Sequence, residues 1–265
     1  MQLVEIIKTI EEIAPPAAQA SWDCSGLQVA AHRDCVTRLA VCLDPTPGSV
    51  DQALARGAQC ILSHHPLSLK PTLPRQLDAW HEVLRLLLTA DVPLYAAHTS
   101  LDVNADGPAG WLAQELALQD LCVLEPVAFN LAGSAAVKLG YGLAGNLPAP
   151  VTFLDLASRL APFVDLRTAT LSGPMPSAIK RIAYCTGSGS SLLEEAKKAG
   201  ADIFITGDVK YHTALETDIP LLDAGHHSLE EEMMRRLATL LAVRLAPLDV
   251  FFVASASPMR PVVLP

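Results

Sequence analysis

Charge is scarce in this chain, and positive charge most of all. Only 18% of its 265 residues are charged, against about 25% in an average soluble domain. Lys and Arg number 19 against 28 acids, leaving a formal net charge of −9. No basic run occurs, which argues against nucleic acid as a partner, since phosphate backbones demand clustered cations. Also missing is any apolar run near the roughly 20 residues of a membrane span. The most apolar helical stretch, Leu237 to Leu245, is short and contains Arg244. No pair among the six cysteines (24, 35, 42, 60, 122 and 185) is spaced C-x-x-C. The segment Met1-Gln-Leu-Val-Glu-Ile-Ile-Lys8 carries charge where a secretory leader needs unbroken apolar residues. The expectation is a cytoplasmic protein with reduced thiols and no membrane partner.

What the chain has in quantity is apolar residue, 51% of the total, with a mean hydropathy of +0.32. That excludes intrinsic disorder and supplies one large core or two. Few charges on so apolar a chain point to surface buried in a homo-oligomer.

Short apolar runs alternate with helical stretches of about ten residues, the pattern of an α/β fold. Strands are expected at 39–43, 60–63, 93–97, 182–185 and 202–206. Helices are expected at 50–56, 80–90, 152–163 and 192–199, with another starting at Pro108, where a first-turn proline is tolerated. Gly57 and Gly200 stand as helix stops. Between about 123 and 177 the texture changes. Glycines 133, 140, 142 and 145 and prolines 148 and 150 read as an insert or linker with some strands.

Residues 38–63 and 181–206 align without a gap. Arg38/Arg181, Ala40/Ala183, Cys42/Cys185, Ala53/Ala196, Gly57/Gly200 and Ala58/Ala201 are identical. Matched helix length, stop glycine and strand ends favour an internal duplication, and Pro93–Ala97 echoes Pro220–Ala224 more weakly. The expected lobes are 1–125 together with about 220–265, and 126–219.

In α/β sheets ligands bind beyond the carboxyl ends of strands. Six of the eight histidines lie there: His64, His65, His98, His212, His226 and His227. A lone histidine at a strand end is ordinarily a hydrogen-bonded loop residue. Six of them, with acids nearby, point instead to metal. Glu230 is four residues from His226 and Glu231 four from His227, so spacing leaves the register open. Imidazole with carboxylate and no thiolate suits Zn, Fe, Mn, Ni or Co. Metal bound with open positions would make a nucleophile of water. Asp102 could bridge two ions, and His98 could orient it or act as acid or base. Lys210 would suit an anionic group, His212 an acid–base role, and Asp208 the pocket lining. Asp23 is expected to bond loop backbone or a ligand histidine. Thr186-Gly-Ser-Gly-Ser-Ser191 lacks the P-loop pattern and reads as a tight turn.

Five ordered segments carry a resemblance: Trp22-Asp-Cys-Ser-Gly-Leu-Gln-Val29, Ser63-His-His-Pro66, His98-Thr-Ser-Leu-Asp102, Thr206-Gly-Asp-Val-Lys-Tyr-His212 and Asp223-Ala-Gly-His-His-Ser-Leu-Glu230. Together they resemble the NGG-one-interacting-factor-three-like family, also named dinuclear metal centre proteins and GTP cyclohydrolase type 2 homologues. The resemblance implies two similar three-layer α/β/α domains related by duplication, with mixed sheets. It implies two divalent ions held by His64, His65, Asp102, His226 and Glu230, and it resolves the register in favour of His226. It implies a toroidal homohexamer and a hydrolase acting on a small molecule, a nucleotide by the family's GTP cyclohydrolase label, although a dinuclear phosphoesterase would use the same ligands. The alternative is a non-catalytic metal-binding scaffold or regulatory partner. Cys24, Ser100 and His227 stand where the family usually has Asn, Asn and Tyr. None of these removes a ligand, and His227 becomes a candidate substrate contact.

Overall fold

The apolar run Leu39-Ala-Val-Cys42 is buried on every residue, and a strand buried on both faces belongs at the middle of an α/β sheet. A computed structural model describes residues 1–127 and 139–262. Gly133 of the expected linker lies outside them. The described residues form two compact units, 1–103 with 234–255, and 104–127 and 139–233 with 256–262. The boundaries expected from sequence were 125/126 and 219/220. Those observed are 103/104 and, inside the last helix, 233/234.

The first unit opens with α1 (Leu3–Ile13), whose Ile6, Ile10 and Ile13 form a buried stripe. Strand β1 (Gly26–Val29) follows. Then come β2 (Arg38–Cys42), α2 (Pro47–Ala55), β3 (Cys60–Ser63), α3 (Ala79–Ala90) and β4 (Leu94–Ala96). The single turn α4 (Thr99–Asp102) comes next. The last strand, β11 (Asp249–Val253), returns at the end of the chain. Helix starts obey their caps: Thr46 and Ser49 form a capping box with Pro47 at the first position, and Asp78 accepts from the His81 amide. The sheet order is β1-β4-β3-β2-β11, parallel except for the antiparallel edge β1. Val50 and Ala53 of α2 and Val83 and Leu87 of α3 pack with Ala40, Ile61 and Leu94 into one core.

The second unit holds α5 (Trp111–Glu115), β5 (Gln119–Pro126), β6 (Gly140–Val151) and α6 (Phe153–Leu160), capped by Thr152. It continues with β7 (Thr170–Ser172), β8 (Ile179–Tyr184), α7 (Leu193–Lys198) and β9 (Ile203–Thr206). After α8 (Tyr211–Glu216) and β10 (Leu221–Asp223) comes the long α9 (His226–Arg244). The sheet order is β5-β6-β8-β9-β10-β7. Pro108 begins a 3-10 turn before α5 rather than the α-helix itself.

The duplication is visible in the strand register. Leu39, Ala40 and Val41 face Cys60, Ile61 and Leu62, and their counterparts Ile182, Ala183 and Tyr184 face Ile203, Phe204 and Ile205. The weaker echo holds as well. Ile61 faces Leu94 as Phe204 faces Leu221, and each unit adds an antiparallel edge strand beyond. Both units are therefore α/β with mixed sheets. The glycine-rich stretch after residue 139 is no linker but the twelve-residue β6, paired on both sides. Its glycines permit close strand approach, since a Cβ on Gly140 would lie 2.3 Å from the Glu125 carbonyl oxygen.

Among the described residues no helix is long and apolar enough to cross a membrane.

Candidate metal centre

In the first unit the backbone carries two histidines just past β3. The His64 amide donates to the carbonyl oxygens of Cys42 and Leu43, and the His65 amide donates to Leu43. Ser63 Oγ fixes the turn by donating to the His65 carbonyl at 2.7 Å. After β4 the chain turns through α4, where the Leu101 amide donates to the His98 carbonyl at 2.8 Å. These two turns bring His64, His65 and His98 together, with one ligand nitrogen of each within 4.8 Å of the others. Asp102 reaches the same group, its Oδ1 3.7 Å from His64 Nε2. His64 is fully buried.

The rings are held from behind. His64 Nδ1 donates to the Ala97 carbonyl at 2.8 Å. His65 Nδ1 bonds Asp44 Oδ1 at 2.7 Å, and His98 Nδ1 bonds Asp23 Oδ1 at 2.8 Å. Asp23 also accepts from the Thr99 amide and hydroxyl, the Ser25 hydroxyl and the Cys24 amide. Burial disfavours its charge, but the bonds from His98, Thr99 and Ser25 outweigh that and hold its carboxyl well below the usual range. Of the two bonds expected of Asp23 from the sequence, the one to loop backbone is present, and the histidine it meets is His98. Cys24 Sγ lies 3.5 Å from the Leu69 carbonyl.

In the second unit α9 opens directly after β10. His226 Nε2 is 2.8 Å from Glu230 Oε2, and its Nδ1 is 2.6 Å from Asp208 Oδ2. Burial lowers the His226 pKa, yet the two carboxylates more than reverse this and raise it to about 9. Displacement of that proton by a cation is the ordinary competition at a metal site. Glu230 fits a space kept open by Gly187, where a Cβ would lie 2.1 Å from Glu230 Oε1. Gly207 likewise makes room for the start of α9. The neighbouring pair, His227 Nε2 and Glu231 Oε2, is wider at 3.9 Å.

The remaining expected residues lie between the end of β9 and the first turn of α8. Asp208 is exposed, in a left-handed conformation (φ 55). Lys210 is the residue before α8. His212 is exposed, with its ring 5.4 Å from that of Tyr211. Asp44 was missed from the sequence, although it follows the end of β2 as the histidines follow β3.

The donors fit hard-to-borderline divalent ions in each unit, being imidazoles and carboxylates without thiolate. The cradle at Gly187 shapes the space around one carboxylate.

The family described as Duf34/NIF3 (NGG1p interacting factor 3) matches residues 1–258. A Clostridium perfringens protein named GTP cyclohydrolase 1 type 2 homolog is 29% identical over 265 residues, covering 98% of both chains. A Nostoc protein of the same name is 33% identical and covers 91% of both. The crystal structure of Staphylococcus aureus protein SA1388 superposes with a TM-score of 0.87 at 25% identity, covering 99% of both chains.

Proposed function

The chain belongs to the Duf34/NIF3 family, and from that premise we propose that it holds two divalent metal ions through His64, His65, Asp102, His226 and Glu230 and acts as a hydrolase related to GTP cyclohydrolase. The observation that supports this reading most is the cluster of His64, His65 and His98, with one nitrogen of each within 4.8 Å of the others. Imidazoles gathered this closely beyond strand ends suit a cation site, with His64 and His65 as two of its ligands and His98 beside them. Bound metal supplies Lewis acidity and water ionised near neutral pH. The protein's own residues do the rest. In this reading His98, bonded to Asp23, carries a proton, and His212 is a second acid or base. Lys210 offers a cation to an anionic group of the substrate, and His227 a further contact. The chain is assigned to the cytoplasm and to a homohexamer.

The test is metal analysis and turnover. Protein reconstituted with Mn, Fe(II), Zn, Ni or Co is expected to hold two ions per chain and to hydrolyse GTP or a simple phosphoester, with activity lost in Asp102→Ala. Failure to retain any of the five metals would overturn the reading. Metal retention without turnover of either substrate would replace the hydrolase with a metal-binding scaffold. Light scattering at the mass of one 28.2 kDa chain would reject the hexamer.

A further inference from the structure

Resting on that metal-binding reading, we propose that Asp44 and Asp208 are positioning residues, each fixing one metal-facing imidazole from the strand beside it. Asp44 lies two residues past β2, and its Oδ1 is 2.7 Å from Nδ1 of His65, two residues past β3. Asp208 lies two residues past β9, and its Oδ2 is 2.6 Å from Nδ1 of His226, just past β10. In both cases the two strands are parallel neighbours. Such strands run about 4.8 Å apart, which sets side chains beyond their ends within reach of an imidazole–carboxylate bond.

The two contacts were not copied in the duplication. In the repeat alignment the counterpart of Asp44 is Gly187, and the counterpart of His65 is Asp208. The same arrangement of acid, imidazole and adjoining parallel strand is therefore built twice from different residues. An accidental ion pair has no reason to recur in that way. Asp208 also holds a left-handed backbone conformation, at φ 55, which aspartate adopts more readily than most residues. The following amide is tied down by Asp223 Oδ2 at 2.9 Å.

A carboxylate on Nδ1 selects the tautomer that presents Nε2, sets the ring plane and raises the basicity of the ring. His64 takes its orientation from the Ala97 carbonyl, which adds no charge. His65 and His226 are thus the stronger donors of the set, one in each unit.

The experiment is Co(II) titration of the metal-free full chain, followed by visible absorbance and by competition with a chelator. The variants are Asp44→Asn, Asp208→Asn and, as a control on an exposed pair, Asp249→Asn. Each of the first two is expected to weaken Co(II) binding about 10–100-fold and to shift the d–d bands, while Asp249→Asn changes neither. Asp44→Glu, which keeps the charge, is expected to recover part of the loss and also serves if Asp44→Asn does not fold. Nitrogen-15 spectra of the metal-free chain should show the Nδ1-protonated signal of His226 altered in Asp208→Asn. Normal affinity and unchanged bands in both Asn variants would overturn the proposal. Wild-type protein that takes up neither Co(II) nor Mn, Fe(II), Zn or Ni would overturn the metal-binding reading beneath it, a different result.

Discussion

Across the repeated strand–helix–strand segment the two units share single hydrogen bonds, while beyond the carboxyl ends of those strands they carry different residues. In the first, Arg38 reaches the carbonyl of Arg56 at 2.6 Å, and in the second, Arg181 reaches that of Ala199 at the same distance. The amides of Gln59 and Asp202 both return to the carbonyl of that arginine. The side chains of Gln59 and Asp202 accept from the amides of Thr37 and Lys180, again equivalent positions. Beyond the strands the likeness stops. In the repeat alignment Asp44 corresponds to Gly187, His64 to Gly207, and His65 to Asp208. The lesson is physical. Turns and caps are constrained by the geometry of the sheet and survive divergence. Strand-end side chains bear little of the fold's weight and are free to become chemistry.

The sharpest way to break this comparison is to give the second unit what the first has at position 64. A Cβ on Gly207 would lie 2.5 Å from the backbone nitrogen of His226 and 2.6 Å from its Cα. Neither atom can move without displacing the start of α9. Gly207→Ala is expected to cost about 3 kcal/mol, read as a fall in Tm of roughly 6–12 °C. The counterpart in the first unit bears a full imidazole, so a variant within 2 °C of wild type would show that the two strand ends are not differently constrained after all.

That asymmetry also explains how much the sequence disclosed. The apolar runs, the stop glycines and the repeat were legible because backbone periodicity leaves a trace in residue type. His64 and His65 were legible because an adjacent pair is rare and follows a strand. Asp44 was not, because one aspartate after a strand looks like any turn residue until its partner is known. α1 was less legible, because the three isoleucines of its stripe, Ile6, Ile10 and Ile13, lie in a segment with no strong start residue. The register of α9 could not be read from spacing, since both histidines have an acid four residues on. Distance separates them, 2.8 Å for His226 against 3.9 Å for His227.

A smaller effect is expected in the loops before the antiparallel edge strands. The first unit has Asp23 there, its side chain fully buried against His98. The second has Asp165, whose carboxylate meets Arg167 at the surface. Asp23→Ala removes charged hydrogen bonds from a buried cluster and should cost about 2 kcal/mol at neutral pH, whereas Asp165→Ala should leave Tm unchanged. The sign of the pH dependence follows from Asp23. Its folded pKa lies below the ordinary 3.8, so its contribution is complete above about pH 4 and is lost as pH falls through the lowered value. The stability gap between wild type and Asp23→Ala should therefore narrow in acid. Denaturation curves at pH 7, 4 and 3 check this, and a gap that widens in acid would contradict it.

The least effect, and the finest test of likeness, lies at the two helix stops. Gly57 and Gly200 have φ of 78 and 74, and each amide donates back to a carbonyl of the helix before it. A Cβ at Gly57 would meet nothing nearer than Arg38 Nη1 at 3.4 Å, and at Gly200 nothing nearer than Arg181 Cδ at 4.0 Å. No clash adds to the backbone cost in either unit, so Gly57→Ala and Gly200→Ala should each cost about 1 kcal/mol, the penalty of a left-handed alanine. The two Tm shifts should agree to within a degree or two. If one alanine proved harmless and the other costly, the matched bonds of Arg38 and Arg181 would not be holding equivalent turns, and the duplication would be one of sequence without one of mechanics.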